Sequence, residues 1–164
     1  MQHSLAALFC ALPLIAAATC SGDSAQAKAP AGPQAALDAG AKQGGPCSLF
    51  TSAEIKEAFG SPVGPGETAG MGTGCQWPAT ENDSAFAQIA VNRDTSAWSN
   101  PIAAPSYQKV SGITGEGFSV KDPQGGWRAE ARNGKGAYVV MMIGSEKAKR
   151  EGAVALLKKL MERS

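Results

Sequence analysis

The residues that could carry chemistry in this 164-residue chain are few, and their placement limits the chemistry open to it. Its one histidine is His3, just ahead of an apolar N-terminal run and part of the same leader-like segment. With that segment removed, neither a Ser-His or Cys-His nucleophile system nor a histidine ligand for zinc, copper or haem can be assembled. Glu54, Glu57, Glu67, Glu81, Asp83, Asp94, Glu116, Asp122 and Glu130 are scattered, with no spacing that pairs two of them for acid–base work. They read as solvated surface groups. Gly70-Met71-Gly72-Thr73-Gly74 looks superficially like a phosphate loop, but it runs into the strand-like Cys75-Gln76-Trp77 rather than opening a helix. No catalytic, cofactor-binding or metal-ligating residue is assigned, and the expectation is a protein that is not an enzyme.

The four cysteines sort by position. Cys10 lies in the apolar run and Cys20 just after it, which leaves Cys47 and Cys75 as the pair in the remaining sequence. In an oxidising compartment such a pair forms a disulfide. A redox or metal-binding role has weaker support, since there is no Cys-x-x-Cys and no companion ligand.

Leu5 to Ala18 is almost entirely Leu, Ala, Ile, Phe and Pro. That length is too short for a membrane-spanning helix and suits the apolar core of a signal peptide over 1–19, although Met1-Gln2-His3-Ser4 carries no Lys or Arg. Two processing routes stay open. Ala17-Ala18-Thr19 before Cys20 resembles a lipoprotein site that would make Cys20 the acylated first residue, with Ala17 and Thr19 departing from the usual pattern. Ala25-Gln26-Ala27 instead fits ordinary signal-peptidase cleavage. Either route places the protein outside the cytoplasm, lipid-anchored to the cell envelope or soluble in the periplasm or medium.

Those anchors would have to be joined to a folded part. Beyond Cys20 itself, residues 20–46 are mostly Ala, Gly, Gln, Pro and Ser with scattered charges and Leu37 as the one aliphatic residue apart from alanine, so they bury too little surface to offset their ordering entropy and read as a flexible tether. A short helix at 34–42 is compatible with this. The remaining 47–164, about 118 residues, suffices for one ordinary core. A formal charge of +1 gives no concentrated basic surface, so nucleic acid is not an expected partner.

Within 47–164 the firmest local signal is Phe50-Thr51-Ser52-Ala53-Glu54-Ile55. Thr51 and Glu54 can form a capping box, Phe50 and Ile55 a hydrophobic staple, and Gly60 and Pro62 stop the short helix that follows. Cys75–Trp77, Ala85–Asn92, Gly117–Asp122, Trp127–Arg132 and Ala137–Ile143 read as strands. Pro123–Gly126 is a turn, and Asn133-Gly134 is the dipeptide that type I′ hairpins favour. Ala137–Ile143 is apolar on both parities and is expected at the sheet centre, covered on both faces. From Ser145 to about Arg163 the spacing of Ala153, Val154, Leu156, Leu157, Leu160 and Met161 predicts an amphipathic helix. Its lysines and arginines are expected to be solvated, with lipid contact as the alternative. The fold class is therefore α+β: a single domain with an antiparallel sheet of about four to six strands, flanked by helices near both ends.

Thr95 to Lys109 fits no period, and Pro101 and Pro105 break any helix there. It holds Trp98 and Tyr107, which makes these two aromatics the candidate binding surface; closing one end of the core is the alternative role. Trp77 and Trp127 sit in strands and belong to the core.

From Cys47 to Ser164 the layout resembles the actinobacterial DUF3558-type lipoprotein domain. The matching stretches are Cys47–Ile55, Phe59-Gly60, Gly74-Cys75-Gln76-Trp77 and Ser111–Phe118, followed by a terminal strand and an Ala/Leu/Lys helix. The resemblance implies a cell-envelope lipoprotein with an antiparallel sheet flanked by helices, and it brings no catalytic residue. The expected function is a tethered, non-enzymatic binding or accessory domain. Its partners would be the membrane, through the lipid, and an envelope protein or small ligand. The alternative is a secreted inhibitor of an envelope hydrolase or lysozyme.

Overall fold

The computed structural model describes residues 45–164 except Ala97 and Ser99. The expected signal peptide, Cys20, the helix at 34–42 and all but the last two residues of the tether lie outside the described residues. A 3₁₀ turn, Gly45–Leu49, opens the described part and carries the buried Cys47. Helix α1, Ser52–Phe59, begins as its sequence requires. Thr51 accepts from the Glu54 N–H, and Glu54 accepts in return from the Thr51 N–H at 3.0 Å. Gly60 ends it in the left-handed conformation at φ 78°, the backbone state that a side chain disfavours. Ile55 and Phe59 point inward and are fully buried.

Seven strands follow: β1 (Glu67–Ala69), β2 (Gly74–Pro78), β3 (Phe86–Asn92), β4 (Gln108–Lys109), β5 (Glu116–Lys121), β6 (Gly126–Asn133) and β7 (Gly136–Ile143). They form one antiparallel sheet in the order β1-β2-β3-β7-β6-β5-β4. The α+β class is as expected, but seven strands correct the expected four to six. The additions are the two edges, of three and two residues, too short for any alternation to register. They exist because partners supply a template: Thr68 opposes Cys75, and Gln108 opposes Ser119.

Helix α2, Arg150–Arg163, lies on one face of the sheet. Its start is five residues later than expected, because Ser145–Ala148 is a turn closed by the Ala148 N–H to the Ser145 carbonyl. Ala153, Leu156, Leu157 and Leu160 meet Trp77, Ala87, Ile89, Ala129, Ala131, Tyr138, Val140 and Met142 in one core, joined by Ile55 and Phe59 of α1. The Cys47–Cys75 disulfide ties the opening turn to β2 within this core, with Cα atoms 4.9 Å apart. Arg163 closes the other side. It donates to Glu54 Oε1 at 2.7 Å and to the Leu49 carbonyl at 2.6 Å, so the end of α2 is tied to the start of α1.

Two further expectations need correction. Strand β7 is central, but the helices cover only its Tyr138-Val140-Met142 face; Val139 and Met141 on the other are half-buried. The β6–β7 hairpin is not a type I′ turn on Asn133-Gly134. Asn133 pairs with Gly136, and neither Asn133, Gly134 nor Lys135 has a positive φ. The Asn133 carboxamide oxygen accepts from the Lys135 N–H at 2.8 Å, an Asx turn that replaces the positive φ values.

Candidate functional site: the sheet face away from the helices

Strand pleat assigns every side chain of the sheet to one of two faces, and cross-strand partners share a face. With Tyr138, Val140 and Met142 toward α2, the register places three rows on the opposite face. One runs Gln88, Met141, Arg128, Val120; the next Ala90, Val139, Glu130, Phe118; the third Asn92, Ala137, Arg132, Glu116. The β3 and β7 members of the first two rows are half-buried, with neither helix over them.

The segment 93–107 folds over the β5 side of this face. Its own turns shape it: the Trp98 N–H reaches the Thr95 carbonyl, Ala104 reaches Pro101, and Tyr107 reaches Ala104. The Asp94 carboxylate accepts from the Ser96 N–H at 2.8 Å, which lowers its pKa from the ordinary value. Ser106 Oγ accepts from the Lys121 N–H at 2.9 Å, pinning the segment to β5. Both expected aromatics then meet at one ring. Trp98 lies 5.8 Å and Tyr107 6.0 Å from Phe118, centroid to centroid, and Phe118 is 1 % exposed as a result. The Arg132 guanidinium sits 4.3 Å from the Trp98 ring centre and pairs with Glu116 at 2.9 Å. The Tyr107 hydroxyl accepts from Asn100 Nδ2 at 3.3 Å, whereas the buried Trp98 Nε1 donates to nothing among the described residues.

Beside Phe118 on the same row, Glu130 is 3 % exposed and paired with Arg128 of its own strand. Burial pushes its carboxyl pKa up, and the Arg128 charge opposes that shift without cancelling it. A buried carboxyl paired across the sheet with the clasped Phe118, with Arg128 and Arg132 on either side along β6, is the most unusual electrostatic arrangement on this face.

Trp98 and Tyr107 are thus brought together, half-buried, as the clasp of a small second core. Reading the chain as a sequence missed Phe118, Arg128, Glu130 and Arg132. The signal was available: β6 alternates Arg128, Glu130 and Arg132 with Ala129 and Ala131, small residues inward and charges outward.

Elsewhere, a cleft of about 250 Å³ between the two helices is lined by Glu54, Glu57, Glu151 and Lys159 among others. Arg163, through its hydrogen bond, outweighs partial burial and holds the Glu54 carboxyl at about 2, so this group stays ionised and cannot serve as the acid of a carboxylate pair. No group of three or more His, Cys, Asp or Glu positioned for a metal occurs among the described residues. At the β1–β2 turn, Met71 is wholly exposed at φ 54°. No described helix is long and apolar enough to cross a membrane.

The chain matches no family model, no curated protein and no solved structure.

Proposed function

We propose that this protein is a non-enzymatic binding or accessory domain of the cell envelope, carried on a tether whose first residue is an acylated Cys20. The observation that carries the binding role is the one-sided cover of the sheet. Both helices pack on the same side of the core, and among the described residues neither helix covers the other face, where Trp98 and Tyr107 clasp Phe118. Phe86, Ala90, Val139 and Met141 on that face are only partly buried, an apolar strip on the same sheet face as the clasp. Sequence features support the envelope placement: the apolar run before Cys20, the tether composition and the resemblance to a lipoprotein domain.

Site-specific photo-crosslinking in the intact envelope tests the face. A photoreactive residue replacing Gln88, on the strip, is expected to give a discrete adduct, whereas one replacing the exposed Lys159 on α2 is not. Equal labelling from both, or none from Gln88, would remove the reading.

A second reading, an inhibitor of an envelope hydrolase, has one observation in its favour. Met71 is an apolar side chain held out in solvent on a turn fixed by two Thr73 bonds to the Gly70 carbonyl, and a rigid projecting loop suits insertion into a cleft.

A further inference from the structure

We infer that the cleft between the 111–115 loop, the β6–β7 hairpin and the last turns of α2 is a binding site for a singly charged phosphodiester. The cleft has a volume of about 260 Å³, and Gly112, Ile113, Thr114, Lys135, Lys158 and Met161 line it together with Glu162. Three independent elements each bring a group suited to an anion.

The first is the loop. The N–H groups of Gly112, Ile113 and Thr114 have no acceptor among the described residues, and Gly112 holds the left-handed φ of 72°. Successive free N–H groups across a left-handed residue form a concave donor surface of the kind that holds phosphate oxygens.

The second is Lys158. Its helical partner four residues on is Glu162, yet the two make no ion pair. The ammonium lies over the loop instead, where a Cβ on Gly112 would meet Nζ at 3.2 Å. Lys158 is half-buried as a residue, and no carboxylate among the described residues pairs with its ammonium, which leaves that charge open to a bound anion. Gly112 is what lets the ammonium sit there.

The third is Lys135, which the Asn133 Asx turn places at the hairpin tip on the same cleft. Ile113 and Met161 add an apolar wall that suits an alkyl or glycerol chain beside the charged group.

Charge selection follows from what opposes the lysines. Glu162 lines the same cleft, and the C-terminal end of α2 adds the negative pole of the helix dipole. Two cations against a carboxylate and a partial negative charge favour one negative charge over two. A phosphodiester keeps a single charge at neutral pH, whereas a phosphate monoester or inorganic phosphate approaches two. The diester could be free, in a soluble glycerophosphodiester or polymer, or a lipid headgroup.

Nuclear magnetic resonance titration of the full chain with glycerophosphoglycerol is expected to move the Gly112, Ile113 and Thr114 amide signals saturably. Inorganic phosphate at pH 8 should bind several-fold more weakly. Lys158→Gln should weaken the diester by about tenfold, the loss of one close charge in a partly solvated site, while Glu162→Gln should strengthen it. Phosphatidylglycerol vesicles then separate the sources. Sedimentation with them that is lost in the Lys135→Gln/Lys158→Gln double variant assigns the headgroup, and soluble binding without sedimentation assigns the free diester. The inference is overturned if neither probe binds, if the double variant binds unchanged with its melting temperature preserved, or if inorganic phosphate binds as tightly as the diester.

Discussion

At the scale of single residues, the two carboxylates with the clearest electrostatic signatures act on stability in opposite senses. Glu54 accepts from Thr51 and from Arg163, and its carboxyl is held at about 2 against an ordinary 4.5. A depressed folded-state pKa stabilises the protein above pH about 4.5, and the contribution is lost as pH falls toward about 2. Glu130 is raised instead, chiefly by burial, so its protonated form suits the fold better and stability declines as pH rises through its titration. Glu54→Gln removes both the carboxylate of the capping box and the ion pair to α2. It is expected to cost about 1–2 kcal/mol at neutral pH. The same variant should flatten the acid limb of a urea-denaturation series between pH about 4.5 and about 2. An acid limb as steep as that of the parent protein would show that Glu54 does not govern it.

At the scale of elements, local chemistry decided what could be read in advance. The capping box, the left-handed Gly60 and the Cys47–Cys75 pair each depend on residues close in sequence or alone of their kind, and all three form as written. The edge strands did not announce themselves, since β1 and β4 owe their extended shape to pairing with β2 and β5. The clasp was half legible: Trp98 and Tyr107 stood out because they fit no period, but their common contact Phe118 lies on another strand. Only the fold reveals that meeting. The disulfide links elements in a way that can be measured. It closes a separation of 28 residues, which in the chain-entropy model contributes about 3–4 kcal/mol. Cys47→Ala/Cys75→Ala should lose about that amount in urea unfolding. Since both cysteines are buried, the native protein should also resist alkylation after mild reductant until it is partly unfolded. Rapid labelling of the folded protein would contradict this.

At the scale of the whole molecule, the proposed placement bears on the disulfide and on the open sheet face. Under the proposed export, the buried Cys47–Cys75 disulfide would form in the oxidising compartment that such bonds favour. On the proposed tethered reading, a partner fixed in the envelope would meet the open sheet face at an effective concentration set by the tether rather than by free diffusion. The intact mass of the full chain expressed in its native envelope decides between the two processing routes. A polypeptide beginning at Cys20 and carrying acyl chains is the expected result, and Cys20→Ser should then release the protein from the membrane fraction. A mass beginning at Lys28 without lipid would assign simple secretion and leave the domain free. A mass retaining Met1 would remove export altogether, and the disulfide would then need another oxidant. Of the three outcomes, only the first makes the membrane a fixed partner of this domain.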